Sequence, residues 1–161
     1  MVCEVIEMHD KIVSASVPKK ILLPTDFSPS SHAALEMAAG LALHFNAEIY
    51  LLNVIHLPPM VSGADFFPDT EMFQEAKKNV EESLAACDAK LTAKNISVTR
   101  RVEAGNDVVA SILAEIKREH IDMLILSTHG MSGWRPLVFG SVAEKLIRVV
   151  ECPLLLLHSA K

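Results

Sequence analysis

The sequence predicts an α/β fold in which a single domain forms a three-layer sandwich, with a five-stranded parallel sheet between two layers of helices. Five short apolar runs alternate with four segments of helical periodicity, an order typical of a parallel sheet with helices on both faces. Four of the five runs are continuously apolar, as expected for strands that are covered on both sides. The length of 161 residues suits one domain.

The five predicted strands are short runs bounded by turn-forming or charged residues. They cover Ile21–Leu23, which ends at Pro24, and residues 48–55, 96–103, 122–127 and 153–158. The third run, ISVTRRVE, alternates and is rich in β-branched residues, whereas the others are continuous. Right-handed crossovers leave few arrangements for five parallel strands, and we predict the strand order 3-2-1-4-5.

Four helices are predicted between these strands, over residues 29–45, 69–94, 107–118 and 141–150. Ser28 followed by Pro29 is typical of a capping residue and a proline in the first turn, and Ser141 stands where a cap is expected for the last helix. Residues 1–17 show no clear period and are predicted to be an N-terminal extension of a domain at 18–161. The loop 56–68 is irregular and long enough to be a lid over a ligand.

The composition argues against several classes of binding partner. The net charge of -5 argues against a protein held on nucleic acid by a general electrostatic field, and an aromatic content of 5% argues against a base-stacking surface. No apolar run approaches the roughly eighteen residues of a transmembrane helix, so no membrane partner is predicted. The start of the chain lacks the pattern of a secretory signal, and three scattered cysteines indicate reduced thiols in the cytoplasm.

The predicted strand order places a ligand site where the chain reverses direction between strands 1 and 4. After strand 4, the segment Ser127–Ser141 contains three glycines, which allow a ligand to approach the main chain. At the start of the last helix, the backbone N–H groups of Gly140, Ser141 and Val142 are placed to bind a phosphate. After strand 1, Asp26 either accepts hydrogen bonds from a ribose hydroxyl or an adenine amino group, or serves as a turn residue before the helix.

The last strand, 153–158, is predicted to lie at an edge of the sheet. It is apolar and carries no charged residue that would block pairing with another chain. Homodimerisation by edge pairing is our interpretation, and the alternative is that residues 1–17 cover the edge.

Three segments together resemble the universal stress protein family from about Lys19 to the C-terminus. They are KILLPTDFSPSSHAAL, EIYLLNVI and DMLILSTHGMSGWRPLVFGSVAEKLIRVVECPLLLL. ATP-binding members of that family carry G-x-x-G, nine residues, then G-[ST]. Gly130 and the pair Gly140-Ser141 match this pattern at the right spacing, whereas Ser127 stands in place of the first glycine.

The resemblance implies a fold similar to the adenine-nucleotide α-hydrolase group and a cytoplasmic stress-response protein. It further implies a homodimer through the last strand and binding of ATP, or of AMP or ADP, with Mg²⁺ entering through the phosphates. The implied nucleotide-binding residues are Pro24, Thr25 and Asp26 beside the adenosine, Ile49 against the adenine through its backbone, Ser127 against the nucleotide, and Gly130, Gly140, Ser141 and Val142 at the ribose and phosphates.

Two other functions stay open at this point. One is a homodimeric interaction protein of the same fold that binds no nucleotide, which the serine at position 127 and the apolar edge favour. The other is a true ATPase, which needs a base for the attacking water near the γ-phosphate. Because Asp26 is predicted at the adenosine end, we expect at most weak hydrolysis of ATP and assign no catalytic residue.

Overall fold

The computed structural model describes residues 17–57, 71–128 and 140–158. Strands and helices alternate through these ranges, as the sequence predicts. The strands are β1 (Lys20–Pro24), β2 (Glu48–His56), β3 (Val98–Gly105), β4 (Met123–Ser127) and β5 (Leu154–Leu157), and the helices are α1 (Pro29–Phe45), α2 (Glu71–Thr92), α3 (Val108–Glu119) and α4 (Ser141–Val149). The predicted extension at the N-terminus and the predicted lid lie largely outside the described residues.

The five strands form one parallel sheet in the order β3-β2-β1-β4-β5, which confirms the predicted topology. β1 lies in the centre, with Ile21 paired to Ile49 of β2 on one side and to Met123 of β4 on the other. The direction of winding therefore reverses between β1 and β4. In sheets of this kind the carboxyl ends of the strands at the reversal border a crevice.

Alternate residues of the central strands pack against different helix layers. Ile21 and Leu23 join a core cluster with residues of α1 and α2, whereas Leu22 joins a second cluster with Ile112 of α3 and Leu146 of α4. All five side chains are fully buried. A strand covered on both faces has no polar side, which explains the continuous apolar runs in the sequence.

The helix starts differ in how they are capped. Ser28 Oγ accepts a hydrogen bond from the N–H of Ser31 at 3.2 Å, and Asp107 Oδ1 accepts from the N–H of Val109 at 2.9 Å. α4 begins after Gly140, and no side chain caps it. The prediction that Ser141 caps this helix is wrong, because Ser141 is already its first helical residue. None of the helices in the three described ranges has the length and apolarity that a membrane crossing requires.

A buried carboxylate connects α3 to the edge strand β3. Glu115 is 1% exposed and forms ion pairs with Arg118 and with Arg101, whose Nε lies 3.5 Å from Oε1. Oε1 has no hydrogen-bond partner. Burial raises the pKa of Glu115 above its ordinary value of 4.5, while Arg118 and Arg101 oppose that shift. The folded state is therefore less stable when this carboxyl is charged than when it is protonated.

Glu115→Gln is expected to change how stability depends on pH. Because the pKa of Glu115 is higher in the folded protein, the native state keeps the proton over a range in which the unfolded chain has already released it. This contribution to the free energy of unfolding is present below pH 4.5 and is lost as the pH rises through the folded pKa. Urea titrations of both proteins should show the wild type losing stability relative to Glu115→Gln as the pH rises above 4.5. A difference that stays constant across this range contradicts the prediction.

Candidate functional site

A cavity of about 700 Å³ opens at the carboxyl ends of β1, β2 and β4, where the winding reverses. Its volume lies within the range of small-molecule sites. The described residues that line it are Pro24, Thr25, Asp26, Ser31, Leu52, Asn53, Val54, His56, Val108, Ile112, Leu126, Ser127, Thr128, Gly140, Ser141, Val142 and Ala143. The cavity combines apolar walls from the strands and α3 with the first turn of α4.

The turn between β1 and α1 forms one wall. The N–H of Thr25 donates to the carbonyl of Leu52 at 2.8 Å, and Nδ2 of Asn53 donates to the carbonyl of Thr25 at 2.8 Å. Asp26 Oδ1 accepts from the N–H of Ser28 at 3.1 Å, so this carboxylate shapes the approach to α1 while it lines the cavity. Both interpretations of Asp26 from the sequence are therefore compatible with its position.

The first turn of α4 forms another wall. The N–H of Gly140 donates to the carbonyl of Thr128 at 2.8 Å, and a Cβ at Gly140 would lie 3.2 Å from that oxygen. Glycine thus allows a close approach between the helix start and the end of β4. The first-turn N–H groups of Ser141, Val142 and Ala143 have no acceptor within the helix, and the positive end of the helix dipole lies here. This wall of the cavity is suited to an anion.

Ser127 occupies the end of β4, and its partner in the sheet is Leu157 of β5. The residues other than glycine with positive φ in the described ranges are Phe27, Asn46, Asn95 and His120, so Ser127 has an ordinary extended backbone. A serine is therefore accommodated here without backbone strain.

Thr128 connects the cavity to the edge strand. It is 2% exposed, its N–H donates to the carbonyl of Leu157 at 2.9 Å, and its Oγ1 lies 2.9 Å from Nδ1 of His158. The carbonyl of Thr128 also accepts the hydrogen bond from the N–H of Gly140, so Thr128 connects the start of α4 to the end of β5.

The structure brings most of the residues predicted from the sequence to one cavity. They are Pro24, Thr25, Asp26, Ser127, Gly140, Ser141 and Val142. Gly130 lies outside the described residues.

The structure does not bring Ile49 to the cavity. Ile49 is the second residue of β2 and is fully buried beside Ile21, whereas Val54 lines the cavity from the same strand. Five residues of extended chain span roughly 17 Å, so the two positions lie towards opposite ends of the strand. Ile49 therefore does not line the cavity, and Val54 is the residue near the carboxyl end of β2 that does.

Sequence reasoning also missed several lining residues. Asn53, Val54 and His56 lie towards the carboxyl end of β2, and the rule that selected the ends of strands 1 and 4 could have found them. Val108 and Ile112 lie on α3, and nothing local in the sequence indicates that this helix reaches the cavity.

No group of three or more His, Cys, Asp or Glu side chains is placed to hold a metal ion in the part of the chain that the structure describes.

The structure defines an α/β protein with a cavity beyond the carboxyl ends of a parallel sheet. A sequence model of the universal stress protein family matches residues 18–158 of the chain. The chain belongs to this family.

Similar proteins come from archaea and bacteria. The universal stress protein MJ0531 of Methanocaldococcus jannaschii is 31% identical over 144 residues, which cover 89% of this chain and 84% of the relative. A solved structure of the protein MJ0577 from the same organism superimposes with a TM-score of 0.79 at 24% identity, covering 89% of this chain and 97% of the other. These similarities agree with the observed topology.

A universal stress protein of Archaeoglobus fulgidus, solved in complex with dAMP, is a further structural neighbour. It superimposes with a TM-score of 0.63 at 16% identity, covering 86% of this chain and 96% of that chain. At this identity the likeness supports the shared fold.

Proposed function

We propose that the protein binds ATP, or the related adenine nucleotides ADP or AMP, in this cavity and acts in the cytoplasm as a stress-response regulatory or sensing module. The observation that carries the proposal is the start of α4, which opens without a side-chain cap on a cavity of nucleotide size. The family of the chain and the dAMP complex of a protein with the same fold support it.

In this proposal the phosphates bind to the start of α4. The N–H groups of Ser141 and Val142 and the hydroxyl of Ser141 donate to phosphate oxygens, and the helix dipole favours the negative charge. The adenosine lies towards the β1–α1 turn, where Pro24 and Val54 supply apolar contacts and Asp26 borders the ribose or the base. Mg²⁺ enters with the phosphates and is held by them and by water.

The proposed activity is binding rather than rapid hydrolysis. Hydrolysis needs a group that orients the attacking water beside the γ-phosphate. Asp26 lies in the β1–α1 turn, on the side of the cavity that this proposal assigns to the adenosine, and its Oδ1 accepts a hydrogen bond from the N–H of Ser28. It is therefore poorly placed for that role.

The proposal is tested by isothermal titration and thermal shift with ATP, ADP and AMP in the presence of Mg²⁺, with Ser127→Gly measured beside the wild type. We expect the wild type to bind, and the Kd of Ser127→Gly to lie within about threefold of it, because Ser127 carries no backbone strain. Nucleotide at about 100 times its Kd should raise the free energy of unfolding by roughly 2.7 kcal/mol. Absence of binding by both proteins overturns the proposal.

A second candidate function is that of a homodimeric interaction protein that binds no nucleotide. β5 lies at an edge of the sheet, its four leucines are half-buried, and Ile147 and Val149 of the adjoining helix are exposed. Such an edge favours pairing with a second copy. Binding of nucleotide by Ser127→Gly alone, together with a dimer in sedimentation experiments, would favour this candidate.

A further inference from the structure

A second, smaller recess adjoins the cavity beside the starts of α3 and α4. Its volume is about 220 Å³. The described residues that line it are His56, Asn106, Asp107, Val108, Val109, Ser141, Val142 and Lys145. The residues that it shares with the cavity are His56, Val108, Ser141 and Val142, so the two spaces have a common border. The recess is smaller than sites that hold a whole small molecule, and it therefore suits one part of a ligand that lies in the cavity.

The starts of two helices lie at this recess. Val108 is the first residue of α3, and Ser141 is the first residue of α4. The positive ends of both helix dipoles are therefore at its border, where they favour a negatively charged group. Because one recess has two such ends beside it, an anion there gains more than it would at a single helix start.

Lys145 adds a full positive charge on the side of α4 that carries Ser141. The two residues are four positions apart in the helix, so their side chains lie on one face. Side chains of a helix lean towards its N-terminus, which directs Lys145 towards the first turn. Among the described residues, Lys145 has no ion-pair or hydrogen-bond partner, whereas its neighbour Glu144 pairs with Arg148 at 3.2 Å. The ammonium group is therefore available to an anionic part of a ligand.

Asp107 is the acidic residue among the described residues that line the recess. Its Oδ1 accepts hydrogen bonds from the N–H groups of Val109 and Ala110, at 2.9 and 3.2 Å. These bonds and the dipole of α3 offset part of its negative charge. The Asn106 amide and the His56 ring, in either neutral tautomer, also carry an N–H group that can donate to an anion. The charges and donors together favour a phosphate over a cation.

We propose that this recess is a subsite for a second phosphate of the bound nucleotide, and that Lys145 holds it. This inference rests on the proposed function, in which the first phosphate binds to Ser141 and Val142, and it specifies a ligand with at least two phosphates. The second phosphate is either the next one in the 5′ chain, as in ADP, or one attached to the ribose, as in adenosine 3′,5′-bisphosphate. Both ligands present a terminal phosphate, so the recognition by Lys145 is the same.

The test compares the Kd values of AMP, ADP and adenosine 3′,5′-bisphosphate, measured by isothermal titration in the presence of Mg²⁺. We expect the wild type to bind at least one of the two doubly phosphorylated ligands about fivefold more tightly than AMP, the effect of one partly exposed charge pair. This preference should fall to about twofold or less in Lys145→Gln and should persist in Lys145→Arg, which keeps the charge. The ligand that is preferred identifies the position of the second phosphate.

Lys117→Gln is the matched control for Lys145→Gln. Lys117 is also an exposed lysine, it lies on α3 away from the recess, and its substitution changes the net charge by the same amount. This variant should keep the preference of the wild type. Equal affinity of the wild type for all three ligands, a preference that survives in Lys145→Gln, or an equal loss in Lys117→Gln overturns the second subsite while leaving nucleotide binding intact. Failure of the wild type to bind AMP, ADP and ATP overturns both proposals.

Discussion

Gly140→Asp is expected to weaken ATP binding about 100-fold while the protein stays folded. The substitution places a carboxylate at the residue that caps α4, beside the proposed phosphate site. Aspartate is a favoured capping residue and complements the helix dipole, so the helix itself should tolerate it. Repulsion between this carboxylate and the phosphates, together with competition for the same N–H groups, amounts to several kcal/mol. Isothermal titration with ATP and Mg²⁺ measures the effect.

Gly140→Asn separates charge from shape in this experiment. Asparagine has nearly the same size as aspartate and caps helices equally well, and both place a Cβ 3.2 Å from the carbonyl of Thr128. The neutral variant should lose less than about tenfold in affinity, because it adds no repulsion. Equal losses in both variants would show that the close approach to Thr128 dominates. Unchanged binding of ATP by Gly140→Asp would show that the phosphates do not bind at the start of α4.

Leu146→Ala is expected to lower the free energy of unfolding by about 3 kcal/mol. Leu146 is fully buried and packs α4 against the core cluster that contains Leu22 and Leu124. Truncation to alanine removes these contacts and leaves a cavity, because the strands beneath cannot collapse into it. Urea unfolding followed by far-ultraviolet circular dichroism measures the loss.

The neighbouring residue on the same helix provides the control for this prediction. Ile147 is 42% exposed, so Ile147→Ala should change the free energy of unfolding by less than about 0.5 kcal/mol if the protein is studied as a monomer. A similar loss in both variants would mean that α4 packs differently from the described structure. The comparison therefore tests the position of the helix that forms the anion-binding wall.

Features that depend on neighbouring residues were predictable from the sequence. Ser28 and Pro29 locate the start of α1, and the structure begins that helix at Pro29. The capping hydroxyl, the fixed φ of proline and the apolar spacing all act within one or two turns. The opposite case is α4, for which Ser141 was expected to be the capping residue. The structure places Gly140 at that position, and no side chain forms a capping hydrogen bond there.

One part of the candidate site was predictable from the sequence, namely the residues at the point where the winding of the sheet reverses. The reversal of winding selects the ends of β1 and β4, and Asp26, Ser127 and Ser141 were found in this way. Ile49, which the resemblance implied, lies towards the other end of β2 from the cavity, and the resemblance alone does not show which residue of that strand stands level with the end of β1. The register does: Pro24 pairs with Leu52, so Asn53 and Val54 are the residues that follow at the cavity.

The sequence by itself determined the fold class, the order of the elements, the family and one half of the candidate site. These follow from periodicity, capping and spacing, which are properties of contiguous residues. The tertiary structure alone brought Asn53 to the carbonyl of Thr25 and added α3 to the wall of the cavity. Contacts of that kind join residues far apart in the chain, and they depend on strand register and helix placement, which packing decides only when the whole sheet is assembled.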